Sequence, residues 1–306
     1  MELGFLMYVF DLPGGLGNQI FAYFAANYAS KMTNARVRLQ FSTISKSHVG
    51  AEFDLRSFKL EIKPIHLNLY PTVLSPLYFP EKNGITRRLK KMIPFNPVIN
   101  FVPGQDKKSQ LDKFLSHATN SFFPKRISGY FGDFSFYDSL PCDSKKLSLG
   151  QPSNQYFQIL NRLRGRSVVG IHIRAGDYLE MPNSVGILGD QYYLDALAQV
   201  FKIQPNVFPI IFTNDYEYAQ KRIIKWNISN GFIISPELLA DPAESLDIYS
   251  RSQYIITSNS TFSLWAAKLA SNTAQIWTPK YWRKDNQGEI ASLPTNWNRI
   301  DNFWLK

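Results

Sequence analysis

The sequence predicts an α/β protein whose C-terminal half is a parallel sheet covered by helices, and three observations predict it. The chain opens with an apolar run, a glycine-rich turn and a periodic segment, which together make one strand–loop–helix unit. After Leu149, apolar runs and helical patterns alternate, the rhythm that builds a parallel sheet. Between these parts, residues 60–125 are punctuated by Pro64, Pro71, Pro76, Pro80, Pro94, Pro97 and Pro103, so loops and short helices are expected there.

The bulk numbers agree with a globular chain. At 306 residues, 44% hydrophobic and 19% charged, it is long enough for two domains. We place the boundary near residues 140–155, giving a domain over 1–150 and a nucleotide-binding domain over 151–306. No stretch approaches the ~18 to 20 uninterrupted apolar residues that span a bilayer. The segment Met1 to Phe10 carries Glu2 and no basic region, so a soluble, cytoplasmic protein is expected. The single cysteine, Cys142, excludes an internal disulfide and a cysteine-built zinc site.

A net charge of +10 suits nucleic acid, an anionic membrane surface or an anionic small substrate such as a nucleotide diphosphate. No aromatic-interleaved basic motif of an RNA- or DNA-binding module appears, and nucleic acid is not an expected partner. Arg87, Arg88, Lys90 and Lys91 cluster beside Leu89, Met92 and Ile93. That segment suits peripheral membrane contact near a lipid-linked acceptor, although a solvated basic helix is the commoner reading of such a charge run.

The N-terminal unit reads as a strand from Phe5 to Phe10, a turn from Pro13 to Gly17 and a helix from Asn18 to Met32. In the helix Ile20, Phe21, Phe24, Ala25 and Tyr28 share one buried face, with Asn27 and Lys31 toward water. Gly14, Gly15 and Gly17 let the backbone turn tightly and approach an anion at the helix N-terminus. Ile20 stands where a dinucleotide fingerprint has its third glycine, so the run is a poor NAD motif. A plain glycine turn capped by Asn18 fits the same residues.

Strands follow at Ser167 to Ile173, Pro209 to Thr213, Gly231 to Ile234, Tyr254 to Thr257 and Gln275 to Thr278. The helices between and after them are Asp190 to Phe201, Tyr216 to Trp226, Glu244 to Ser250 and Thr261 to Leu269. The first strand runs into His172-Ile173-Arg174-Ala175-Gly176-Asp177-Tyr178, at the kind of strand end where open α/β sheets bind ligands. Strand alternation puts His172 and Arg174 on one face, and an arginine there can grip a diphosphate bidentately. Asp177 would orient Arg174 or take a proton from an incoming hydroxyl; an architectural Arg–Asp pair fits equally. At Thr257-Ser258-Asn259-Ser260-Thr261 an apolar strand breaks into small polar residues before a helix, a ready anion site. An ordinary cap by Ser258 or Ser260 is the simpler alternative. Phe212-Thr213-Asn214-Asp215 and Asp241 to Asp247 are less specific, cap-like turns.

In this order the turns resemble the motif set of glycosyltransferase family 11, the α-1,2-fucosyltransferases, in its bacterial form. The matching residues are Gly14, Gly15, Gly17, Asn18 and Gln19; His172, Arg174, Gly176, Asp177 and Tyr178; and Asn259 to Ser263. Phe212, Thr213, Asn214 and Asp215 correspond to a further family turn, and Glu244 to the acid before the last motif. The chain departs from the pattern at Ala175, where a second arginine is usual, at Leu264, where tryptophan is usual, and at Ser245, where an acid is common.

The resemblance implies two facing Rossmann-like domains in a GT-B-like arrangement, with GDP-β-L-fucose in the C-terminal domain and a galactoside-terminated glycan as acceptor. It implies fucose transfer to the 2-hydroxyl in surface polysaccharide or oligosaccharide synthesis, with no cofactor beyond the donor substrate and no metal. The expected donor-binding residues are Gly15, Gly17, His172, Arg174, Asp215, Glu244, Ser258, Asn259, Ser260 and Thr261. Arg174 would stabilise the departing diphosphate, worth ~3 to 4 kcal/mol in a water-poor cleft, with Asn18 completing the donor end. Asp177 is the first choice of base, with Glu180 and Asp190 nearby. A transferase of other linkage and a non-catalytic sugar-nucleotide-binding protein are the competing readings.

Overall fold

The computed structural model describes residues 7–33, 35–41, 54–65, 98–101, 107–116, 125–180, 183–228, 230–285 and 293–305. The basic cluster Arg87, Arg88, Lys90 and Lys91 lies outside them. Among the described residues no helix is long and apolar enough to cross a membrane. By contacts the chain forms two units. One comprises 1–14, 18–53 and 60–146; the other comprises 15–17, 54–59 and 147–306.

The first unit is built on a five-stranded parallel sheet of order β3-β2-β1-β5-β4. Its strands are β1 (Met7–Asp11), β2 (Arg36–Gln40), β3 (Pro64–Ile65), β4 (Val98–Phe101) and β5 (Lys125–Gly129). Tyr8, Val9 and Phe10 in β1 are fully buried, as a central parallel strand covered on both faces requires. Helix α1 (Leu16–Met32) follows it.

The helix is buried nearly all round, not on one stripe. Asn27, expected to face water, is 1% exposed and its Nδ2 donates to the carbonyl of Ser144 at 3.4 Å. The proline-rich stretch contributes the short strands β3 and β4 and the ten-residue helix α2 (Lys107–Ser116), more regular structure than its prolines suggest. Pro64 opens the edge strand β3, where a missing N–H is tolerated. A short helix α3 (Ser135–Asp138) closes the unit.

The second unit holds a six-stranded parallel sheet of order β11-β10-β9-β6-β7-β8. Its strands are β6 (Val168–Ile173), β7 (Phe208–Thr213), β8 (Phe232–Ile234), β9 (Tyr254–Ile256), β10 (Gln275–Pro279) and β11 (Asn298–Ile300). Its helices are α4 (Asn154–Leu163), α5 (Asp190–Ile203), α6 (Tyr216–Lys225), α7 (Pro242–Ser250) and α8 (Thr261–Leu269). Val169, Ile171, Ile173, Tyr192, Tyr193, Leu197, Ile211 and Trp277 form the core beneath α5. Counting strands within this unit, the order is 3-2-1-4-5-6, that of the dinucleotide-binding α/β fold.

Candidate functional site

In a sheet of this order the chain winds outward from the first strand in one direction and later returns to wind in the other. The crevice outside the carboxyl ends of the two middle strands is where such sheets take ligands. Here those strands are β6 and β9, paired from Val169↔Tyr254 to Ile171↔Ile256. Topology therefore brings together the turns that begin at Arg174 and at Thr257, which are 83 residues apart in sequence.

All six residues of β6 are buried; Val169, Ile171 and Ile173 belong to the core beneath α5, and His172 does not. His172 is 3% exposed; its ring packs 5.2 Å from that of Phe262 and 6.2 Å from that of Tyr249. Burial, with a smaller contribution from the charge of Arg174, lowers its pKa to about 3, and the imidazole is neutral. Nδ1 lies 2.7 Å from Ser258 Oγ, joining the ends of β6 and β9.

Arg174 leaves the strand and is partly exposed. Its Nη2 lies 2.8 Å from the Asp177 carboxylate, and its guanidinium stands 5.2 Å over the Tyr178 ring. Its Nε is buried without a hydrogen-bond partner among the described residues. Such a donor costs about 1–3 kcal/mol until something accepts from it. Asn214, at the end of β7, fixes this turn by accepting from the Ala175 N–H at 3.1 Å and donating to Asp177 at 3.3 Å. Gly176 adopts φ +46°, and a Cβ there would stand 2.5 Å from Asn214 Nδ2, so the turn needs glycine on both counts.

The second turn is joined to the first by Tyr178, whose hydroxyl donates to the Asn259 carbonyl at 3.1 Å. Ser258, Asn259 and Ser260 are buried. The Asn259 Nδ2 reaches the carbonyls of Val185 at 3.2 Å, Gly186 at 3.1 Å and Trp282 at 3.4 Å. The Ser258 N–H donates to Ser263 Oγ at 3.1 Å, and that hydroxyl donates to the Ser260 carbonyl at 2.9 Å. Ser260 stands at the N-cap of α8 without a side-chain capping bond. Thr261 then opens a nine-residue helix whose first N–H groups favour an anion.

Other expected residues have different surroundings. Asp215 caps α6, accepting from the Tyr218 N–H at 3.0 Å. Glu244 is 4% exposed, and its carboxylate accepts both the N–H and the hydroxyl of Ser153, which caps α4. Asp190 accepts from Arg222, from Lys225 at 2.7 Å and from Trp226 at 2.8 Å. Burial pushes its pKa up, but the Lys225 and Trp226 hydrogen bonds and the Arg222 charge hold it below the usual value, which makes it a poor base. Asp177 and Glu180 are exposed.

In the glycine turn, Gly14 adopts φ +59° and its carbonyl accepts from Gln19 Nε2 at 2.8 Å. Gly15 and Gly17 group with the second unit, and Asn18 with the first. Sequence reasoning gave no weight to Tyr249 or to the carbonyls of 185, 186 and 282. Backbone acceptors carry no side-chain signal, and an aromatic on a helix reads as core.

A model of glycosyl transferase family 11 matches residues 151–301. The chain is similar to the O-antigen biosynthesis glycosyltransferase WbnK of Escherichia coli, 26% identical over 90% of this chain and 94% of that one. It is 23% identical to an Escherichia coli alpha-1,2-colitosyltransferase over 95% and 97% of the two chains. To the galactoside alpha-(1,2)-fucosyltransferase 2 of Rattus norvegicus it is 29% identical over 55% of this chain and 52% of that one. Among solved structures, NodZ alpha-1,6-fucosyltransferase soaked with GDP-fucose is similar in fold, with a TM-score of 0.51 at 12% identity over 87% of this chain and 93% of that one.

Proposed function

The chain belongs to glycosyltransferase family 11 through residues 151–301, and on that premise we propose that it transfers L-fucose, with inversion, from GDP-β-L-fucose to the 2-hydroxyl of a terminal galactoside. The observation that carries this reading is the buried, unpartnered Nε of Arg174 at the strand ends that flank the start of α8. A cation with an unspent donor beside a helix N-terminus suits the diphosphate of a sugar nucleotide.

In the reaction the acceptor hydroxyl attacks the anomeric carbon, the bond from that carbon to the diphosphate breaks, and negative charge grows on the leaving GDP. Arg174 and the first N–H groups of α8 stabilise that charge, which lowers the barrier because they gain most in the transition state. Asp177 takes the acceptor proton. Among the acids near β6 it combines exposure with a fixed position, whereas Asp190 is held by three donors. His172, buried and neutral, positions Ser258 and does not exchange protons. The relatives named for α-1,2 linkage support attack by a 2-hydroxyl, and the one named for O-antigen biosynthesis supports a surface-polysaccharide acceptor. The colitosyltransferase relative favours colitose as the second candidate sugar.

The test incubates the purified protein with GDP-fucose and lactose in EDTA, following GDP release and product mass together. GDP release with a product heavier by one fucose, undiminished by EDTA, is expected, and methylation analysis of the product should place fucose at position 2 of galactose. GDP-fucose bound without turnover on any galactoside would instead favour a binding protein.

A further inference from the structure

We infer that Arg283, in the segment after β10, is a second cation of the donor-diphosphate site and acts on the same leaving group as Arg174. The inference rests on the donor reading above and adds a residue that lies outside the sequence motifs.

Placement comes first. The Trp282 carbonyl accepts from Asn259 Nδ2 at 3.4 Å, and the Lys284 N–H donates to the Ser184 carbonyl at 3.2 Å. Arg283 thus sits between two backbone groups pinned to the strand-end turns. Asn259 in turn takes the Tyr178 hydroxyl on its carbonyl, and Tyr178 lies under Arg174. Burial raises the Tyr178 pKa, while Arg174 and Arg283 both pull it down, so the two guanidinium charges bear on one phenol.

Charge supplies the need. Arg174 is a single cation that shares its charge with Asp177, whereas the charge of the diphosphate increases as the sugar leaves, so a second cation has a use there. At the neighbouring position Ala175 is fully buried and its N–H is engaged by Asn214, so no cation comes from there. Arg283 is about as exposed as its partner, at 39% and 38%, and binds Asp285 through Nε at 2.9 Å and Nη2 at 2.5 Å. An exposed pair of this kind holds weakly. Asp285 acts as a stand-in anion that orients the guanidinium fork and yields it to the diphosphate, which can take both N–H groups in the same geometry.

The test measures GDP and guanosine affinity by calorimetry for the wild type and for Arg283→Ala, Arg283→Lys and Asp285→Asn, with melting temperatures as a folding control. Arg283→Ala should weaken GDP about tenfold, the loss of one charge-assisted contact, while guanosine, lacking phosphates, binds each variant alike. Arg283→Lys should recover part of the loss. Asp285→Asn should hold GDP as tightly as the wild type or more tightly, because it frees the arginine. A merely structural ion pair predicts that removing either partner weakens GDP equally; that result, or an Arg283→Ala protein with wild-type GDP affinity, overturns the inference and leaves the donor reading standing. A wild type that binds no GDP overturns both.

Discussion

At the scale of single residues, the site depends on one paired charge and one suppressed charge. In the proposed reaction Arg174 is the charge that meets the leaving diphosphate. Arg174→Ala should lower kcat by about two to three orders of magnitude, as expected when a group that stabilises the transition-state anion is removed. A circular dichroism melt should remain close to wild type, because the side chain is partly exposed and its ion partner Asp177 is itself solvated. Near-normal turnover would remove Arg174 from the mechanism. His172 is the suppressed charge. Its pKa of about 3 lies below the ordinary 6.5, so between those values the unfolded chain binds a proton that the folded chain refuses. Its contribution to stability is therefore complete above 6.5 and declines as pH falls toward 3, by up to about 1.4 kcal/mol per pH unit. Urea unfolding at several pH values across that range should show a shallower acid-side slope for His172→Asn than for the wild type. An unchanged slope would mean that the ring is not held neutral.

At the scale of elements, the turn between β6 and α5 is the most constrained part of the site. Gly176→Ala must adopt a left-handed conformation, costing about 1–2 kcal/mol, and must displace Asn214, which holds both the Ala175 N–H and Asp177. It should raise the donor KM as well as lower the melting temperature; a lower melting temperature alone would mean that Asn214 does not align Asp177. The join of α4 to α7 makes the opposite forecast. Glu244 is occupied by Ser153, so Glu244→Ala, which leaves the Ser153 N–H without its acceptor, should cost about 1–3 kcal/mol of stability and change GDP affinity little. A collapse of GDP affinity at unchanged stability would make the carboxylate a donor ligand. How much was legible follows from these elements. The strands β6 to β10 and helices α5 to α8 are legible because each is a run of apolar or amphipathic residues bounded by turn chemistry. By contrast β2 (RVRLQ), β5 (KRISG) and β11 (NRI) are short and polar, and only pairing with an apolar neighbour makes them strands. His172, Arg174 and the 257–261 turn stood out as polar breaks after apolar strands, whereas their adjacency depends on strand order, which no local pattern records.

At the scale of the whole molecule, chain order and spatial order differ in one place that matters for stability. Residues 54–59 come early in the sequence but belong to the second unit. Phe58 bridges Leu149, the Lys59 N–H donates to the Ser148 carbonyl at 2.8 Å, and the Gly150 N–H donates to the Ser57 carbonyl at 2.7 Å. The turn at Asp54–Ser57 packs on α7, with Leu55 fully buried. This crossover ties the six-stranded sheet to sequence that the matched family region, 151–301, does not contain. All six tryptophans, from Trp226 to Trp304, lie in the second unit, so their fluorescence reports on that unit alone. Leu55→Ala removes a fully buried side chain and should cost about 2–5 kcal/mol, lowering the urea midpoint of the tryptophan transition. Val37→Ala, a comparable truncation in β2 of the first unit, should move that midpoint less, because the cavity it opens is in a different core. Equal shifts from the two variants would mean that the units unfold as one cooperative block. A larger shift from Leu55→Ala would establish the crossover as part of the fold of the second unit, so that, on the proposed donor reading, residues 151–301 expressed alone should bind GDP less stably than the full chain.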